Sequence, residues 1–205
     1  MSHNKVPQML KEAYKLPLPK PNKNEKLMDN YRGITITSVF CKVLEIFIEQ
    51  RSASEIDHNL SDLQCGFTKG RSPSLASLLI TEAVAECKQK REDLYIVSFD
   101  ARKAFDVVSH QILKSKLFLT PVNRTVWKLI DDLYISPREC IRWKNSDSRP
   151  YEVEQGVRQG GILSPLLYKL YINDLLILLE KKSMGMKIGI NLIHGGLILI
   201  FGSSY

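Results

Sequence analysis

The stretch SPLLYKLYINDLLILL (164–179) most limits what this chain can become. Ser164 followed by Pro165 is a helix-start signal: a capping hydroxyl, then a proline at the first helical position, where a missing N–H costs nothing. The helix it opens is long and apolar through Leu179, so it needs a core to lie in. With 205 residues the chain can bury one without disulfides, as one domain or two closely packed lobes. Its 44% apolar and 25% charged residues exclude a disordered, collagen-like or disulfide-rich scaffold.

Around that helix the pattern is mixed. LPLPKPNKNEKLMDN (16–30), with three prolines, reads as a short strand running into an exposed basic loop. Residues 31–37 read as a strand, after which Ser38 caps a helix with Phe40, Val43, Leu44 and Phe47 at helical spacing. Ser72-Pro73 repeats the cap-plus-proline signal and predicts a helix to about Gln89 that buries Leu75, Leu78, Leu79 and Ala83. LYIVSF (94–99) reads as a buried strand delivering Asp100 at its end. A helix is expected from about Ser109 to Leu117, and another from Thr120-Pro121 with Val126, Trp127, Ile130 and Tyr134 on one face. Segments 139–144 and 150–157 read as a hairpin turning through residues 145–148, and 186–201 as strand with a turn at Gly195-Gly196. This order predicts an α+β architecture, not a doubly wound sheet.

Charge and cysteines narrow the function classes. Twenty-nine basic against 22 acidic residues give a net charge of +7, which favours a polyanionic partner, although scattered cations on helix faces are also simply solvated. The four cysteines form no C-x-x-C pair, so a zinc or redox motif is not expected, and free thiols of a reducing compartment are. The N-terminus lacks the apolar core of a signal peptide. The longest apolar run, 188–201, is interrupted and falls short of the ~20 residues that span a bilayer, so an intracellular chain without membrane contact is expected.

Three stretches carry residue types that do chemistry. FDARKAFD (99–106) aims Asp100 from a strand end and follows it with Phe105, which suits a divalent cation beside a ring-shaped substrate, because hard cations take oxygen ligands. Asp100 serves equally well as a cap for the turn that follows. In QGVRQGGILSPLLY (155–168), Gly160-Gly161 permits close backbone approach, Gln159 both donates and accepts, and Ser164 caps a helix whose N-terminus attracts phosphate. A plain strand-turn-helix junction has the same composition. LPKP (18–21) and YRGITITSVFCKVLE (31–45) set Lys20 and Arg32 facing each other across a loop, where two cations can clamp a triphosphate; a solvated sheet edge also accounts for them.

Taken in order, LPKPNK…NYRGITITSVFCKVLE, QCGFTKGRS (64–72), FDARKAFDVV and GVRQGGILSPLLYKLYINDL resemble the reverse transcriptase domain of non-LTR (LINE-like) retrotransposons, over essentially residues 6–190. QGGILSP matches the Q-G-x-x-x-S-P signature of such polymerases, and FDARKAFD their first acidic motif. The resemblance implies a right-hand polymerase fold with 1–93 as fingers and 94–205 as partial palm, finger helices interleaved at about 120–136, and no thumb. It implies RNA-directed DNA synthesis on an RNA template, with a DNA primer and dNTPs, and nuclear localisation by the life cycle of such elements. Asp100 resembles the catalytic metal ligand, with the Ala101 carbonyl beside it, for a pair of Mg²⁺ ions. Phe105 resembles the gate under the incoming sugar that rejects a 2′-hydroxyl by clash. The resemblance further sets Gln159 and Gly160 against nucleotide and template, Lys20 and Arg32 on the triphosphate, and Lys69, Arg71, Ser164 and Pro165 along the template.

Two departures stand out. Relatives place a second carboxylate pair in a Tyr/Phe-Ala-Asp-Asp hairpin after a segment like SMGMKIGINLIHGGL (183–197), whereas this sequence continues as ILIFGSSY, with no aspartate after Asp174 and Glu180 as its last acid. Gly33 stands where relatives usually carry proline (Y-R-P-I), which is expected to loosen that strand. The expectation is therefore a truncated polymerase domain, inactive as these residues alone. The alternatives are a non-catalytic module that grips RNA or an RNA·DNA hybrid, and a fragment too incomplete to fold stably.

Overall fold

A computed structural model describes residues 5–68, 70–71, 73–96, 101–182, 186–188 and 191–193. β1 (Glu12–Pro19) and β2 (Tyr31–Thr37) form an antiparallel ladder from Ala13↔Thr37 to Pro19↔Tyr31. Lys20 N donates to Asn30 O at 2.8 Å and closes the loop between them, which ends in a 3₁₀ turn at Met28–Asn30. On its other edge β1 runs parallel to β3 (Arg138–Trp143), but only from Glu12 to Lys15. Pro17 and Pro19, which cannot donate to a ladder, fall beyond the last β3 partner. Two short strands complete the sheet: β4 (Ser146–Asp147) and β5 (Tyr151–Glu152), both antiparallel to β3.

The strand registers put Lys15, Gly33, Thr35 and Glu139 on one face. Glu139 is buried there and accepts from the hydroxyls of Thr35 (3.3 Å) and Tyr151 (3.2 Å). A Cβ on Gly33 would lie 2.2 Å from Lys15 Cε. The room a side chain would take is therefore filled by the Lys15 stem, whose ammonium reaches Asp106 Oδ1 at 3.3 Å. On the opposite face the Arg142 guanidinium lies 3.7 Å from the Tyr14 ring centroid.

The remaining elements are α1 (Gln8–Lys11), α2 (Val39–Asp57), α3 (Pro73–Lys90), α4 (His110–Leu119), α5 (Arg124–Leu133), α6 (Ser164–Lys181) and an antiparallel hairpin of β6 (Met186–Ile188) and β7 (Asn191–Ile193). The mixed α and β composition matches the expected class. The chain divides into two compact units: residues up to Asn59 with Lys103–Tyr171, and Leu60–Arg102 with the residues from Ile172. In the first unit the core gathers Ile48, Ile56, Leu113, Leu117, Ile130 and Leu167. In the second, Ser61 N donates to Asn173 Oδ1 at 2.8 Å and Ser61 Oγ to Glu180 Oε1 at 2.6 Å, holding the turn after α2 on α6.

Several sequence expectations are corrected. The apolar stripe of α2 is the face left open: Phe40 is 73% and Val43 58% exposed, while Cys41, Glu45, Ile48, Ser52 and Ile56 are buried. Of the residues expected to be buried by α3, Leu78 is exposed and Leu79 and Ala83 are half-buried, Leu75 lies outside the described side chains, and Cys87 is buried. Of the strand expected over 94–99, Leu94–Ile96 pairs with no described residue and Tyr95 and Ile96 are exposed, while the rest lies outside the described residues. α5 starts later than Thr120-Pro121 because the Asn123 side chain caps it, accepting from Thr125 N at 2.8 Å. The hairpin after β3 turns at Lys144-Asn145, with Lys144 at φ 54, so Ser146 and Asp147 are strand rather than turn. The last hairpin reverses between Ile188 and Asn191; Gly195-Gly196 lies outside the described residues.

A buried polar clamp explains why the α2 face is inverted. Glu45, 4% exposed, accepts from Ile162 N at 2.7 Å and pairs with the Arg158 guanidinium at 3.7 Å. Arg158 also donates to Lys11 O (2.9 Å) and to Cys41 Sγ (3.2 Å), and burial pushes that thiol up. Lys11 in turn pairs with Asp132 of α5 at 2.9 Å. Removing one member strands a buried charge, so Glu45→Ala should cost about 3–5 kcal/mol. Urea denaturation followed by far-UV circular dichroism measures it; a loss below about 1 kcal/mol, the level of a surface pair, would refute the clamp.

Candidate functional site

Residues 103–108 and the QGVRQGG stretch, some fifty residues apart in sequence, are laced together by backbone hydrogen bonds within the first unit. Asp106 N and Val107 N both donate to Lys103 O (2.8 and 3.2 Å), which makes a tight turn around Phe105. That turn takes Val157 N on Phe105 O at 2.8 Å and Gly156 N on Val108 O at 2.7 Å. Gly156 sits at φ 96, and a Cβ there would lie 3.0 Å from Asp106 O, so the approach needs glycine on both counts. The Phe105 ring meets Tyr168 of α6 edge-on, centroids 5.0 Å apart.

The same loop continues onto the sheet. Gln159 O accepts from Thr35 N at 2.7 Å, on the edge of β2 away from β1. Gly160 follows at φ 112, where a Cβ would press to 3.0 Å from Thr35 O. The loop is thus stitched on one side to the Phe105 turn and on the other to the strand that carries Arg32. Arg32 lies opposite Leu18 in the ladder, and Lys20 begins the loop that ends at Asn30. Lys20 Nζ donates to Asp29 O at 3.0 Å, and the Asp29 carboxylate takes Lys103 Nζ at 2.9 Å. Lys20 and Lys103 thus share Asp29, and Gln159 and Gly160 run between the Phe105 turn and β2, whereas Arg32 alternates with Gly33 and so lies on the other face of the sheet.

The other candidates fall differently. Ser164 is buried at the start of α6 with its hydroxyl paired to Tyr134, whose own hydroxyl burial pushes up, and Pro165 is half-buried. Ala101 is exposed and belongs to the second unit, as does Arg71, which grips Asp62 through both its carbonyl and its carboxylate. Asp100 and Lys69 lie outside the described residues. Among the described residues no three His, Cys, Asp or Glu side chains converge on a possible cation site. Asp106 faces Lys15 and Asp29 faces Lys103.

Four residues of this neighbourhood were not singled out by sequence reasoning: Glu45, Arg158, Asp29 and Lys103. Arg158 and Glu45 stand inside the quoted GVRQGG and KVLE blocks. A lone Arg in a glycine loop is the one signal that asks for a buried acid as its partner.

His110, the first residue of α4, ties that helix to the loop through Nε2, which donates to Gly156 O at 2.7 Å. Burial, reinforced by nearby Lys114, holds its pKa below the ordinary 6.5, against the upward pull of the Gly156 carbonyl. The fold therefore favours the neutral ring, and the unfolded chain takes up the proton first as pH falls. Stability from this group is complete above pH 6.5 and is lost as pH drops from there through the lower folded value. Thermal melting between pH 8 and 5 should show Tm falling on the acid side, with His110→Gln flattening that slope; an unchanged slope would refute the assignment.

The sequence profile for reverse transcriptase (RNA-dependent DNA polymerase) matches residues 18–194. The chain is 32% identical over 174 residues to a probable RNA-directed DNA polymerase from transposon BS of Drosophila melanogaster, covering 82% of this chain and 19% of that protein. It is 28% identical over 152 residues to a retrovirus-related Pol polyprotein from the type-1 retrotransposable element R2 of Popillia japonica, 74% of this chain and 21% of that one. Against the RNA-directed DNA polymerase from mobile element jockey of Drosophila funebris the identity is 26% over 160 residues, 76% of this chain and 17% of the relative. The chain spans about a fifth of the length of these curated relatives.

Proposed function

The chain belongs to the reverse transcriptase (RNA-dependent DNA polymerase) family, and we propose that the neighbourhood of Phe105 and Gln159 seats the incoming deoxynucleoside triphosphate during RNA-directed DNA synthesis. The observation that carries this reading is the double stitching of the glycine loop, to the Phe105 turn at 2.8 Å and to β2 at 2.7 Å. It joins the backbone of residues 156–159 to the turn that carries Phe105 and to β2. In this reading Phe105 packs under the sugar, Gln159 and Gly160 meet the base and template, and Lys20 and Arg32 neutralise phosphates. Lys69, Arg71, Ser164 and Pro165 line the template, and residues 1–93 and 94–205 act as fingers and palm. The sites of Asp100 and Ala101 would hold metal; reverse transcriptases depend on divalent metal as a class. The described residues do not by themselves make up such a site.

RNA template and DNA primer are the partners this reading names, and the +7 charge supports contact with their phosphates. Among the described residues no helix is long and apolar enough to cross a membrane. A second reading is the gripping of nucleic acid without turnover, which the same +7 charge supports.

Equilibrium binding of dATP and of an RNA·DNA hybrid to the 205-residue chain, together with primer extension, tests both readings. Hybrid affinity should fall steeply with salt, and Arg32→Met should weaken dATP about tenfold or more, the loss of one charge-assisted phosphate contact. Incorporation abolished by Asp100→Asn selects the polymerase reading, and binding without incorporation selects the second. Failure to bind either ligand overturns both.

A further inference from the structure

Two ammonium groups from distant parts of the sequence meet on one residue beside the proposed nucleotide seat. Asp29 lies in the 3₁₀ turn that ends the loop between β1 and β2. Lys20 Nζ donates to its carbonyl at 3.0 Å, and Lys103 Nζ, 74 positions on, to its carboxylate at 2.9 Å. Lys103 adopts φ 53, a left-handed conformation that a non-glycine residue takes only when its surroundings impose it. Here its carbonyl holds the turn of Phe105 by accepting from Asp106 N and Val107 N, so the lysine cannot shift without moving the gate. The aspartate and the lysine are 62% and 51% exposed, and so open pairs are screened and weak. A single carboxylate is thus a poor competitor on these cations for a polyphosphate carrying several negative charges.

We propose that Lys103 is a phosphate-binding residue for the incoming triphosphate and that the Asp29 carboxylate is its resting counter-ion, displaced when the nucleotide arrives. The proposal rests on the nucleotide seat described above and adds to it a third cation and an exchangeable anion. The chemistry is one of substitution: the Lys103–Asp29 contact breaks, a Lys103–phosphate contact forms, and Lys20 keeps its carbonyl partner or turns with it. An ordinary surface ion pair makes a different prediction, since neither of its members would affect nucleotide affinity.

The experiment is equilibrium binding of dATP and, separately, of inorganic tripolyphosphate to the 205-residue chain and to Lys103→Met, Asp29→Asn and the double variant, with thermal melting as a control for folding. Lys103→Met should weaken both probes about tenfold or more, as loss of a charge-assisted hydrogen bond does. Asp29→Asn should tighten both by roughly two- to fivefold, the release of a surface pair. The double variant should match Lys103→Met alone, and melting should barely move. Unchanged affinity in Lys103→Met, or weaker binding in Asp29→Asn, overturns the proposal. Lys103-dependent tripolyphosphate binding without dATP binding would sustain it while overturning the nucleotide seat. Binding of neither probe by the unaltered chain would overturn both.

Discussion

The buried contact between Glu45 and Arg158 sets the geometry on which the rest depends. Glu45 comes from the middle of α2, Arg158 from the glycine loop, and Ile162 N, which Glu45 also accepts, from just before α6. One carboxylate therefore fixes a helix, a loop and a helix entry at once. Such a pair is a poor source of net stability, since taking two charges from water cancels much of their attraction. What it provides is register, because a slip of α2 by one residue would leave a guanidinium and a backbone N–H without their acceptor.

Register is what the loop needs, because its other contacts are made by backbone. Val157, Gly156 and Gln159 each use main-chain atoms to reach the Phe105 turn or β2. Such bonds do not depend on side-chain identity, so they permit this junction without selecting it. Selection falls to two glycines at positive φ that tolerate the close approach, and to the charges that aim Arg158 inward. The site is built less by the residues expected to touch a ligand than by those that hold its backbone in place.

This division explains what could be read from the sequence. The strand 31–37, the α6 start at Ser164, the cap at Ser38 and the helix start near Ser109 were legible, because each rests on local chemistry. The collinear blocks were legible too, and with them the family. The buried face of α2 was not: apolar spacing points to Phe40, Val43 and Phe47, yet the packed face carries Cys41, Glu45 and Ser52. Periodicity assumes that the core is greasy, and here it is partly ionic, with a partner more than a hundred residues away. The same holds for Asp29 and Lys103, whose pairing depends on how a loop and a turn come together in space.

Gly33 shows how a departure from a family pattern is absorbed physically. The resemblance implies proline at this position, and its replacement by glycine was expected to loosen β2. Instead β2 keeps its full ladder with β1, and the vacated volume is taken by the Lys15 stem on the neighbouring strand. The ammonium is carried on to Asp106, one residue from Phe105, and stands 3.9 Å from Glu139. A side chain at 33 would push aside the flexible end of that stem, which a Cβ there meets at 2.2 Å, and with it the ammonium that reaches Asp106. A lysine in the sheet and a missing side chain opposite it are thus one structural fact, and its far end lies on the turn that carries the proposed gate.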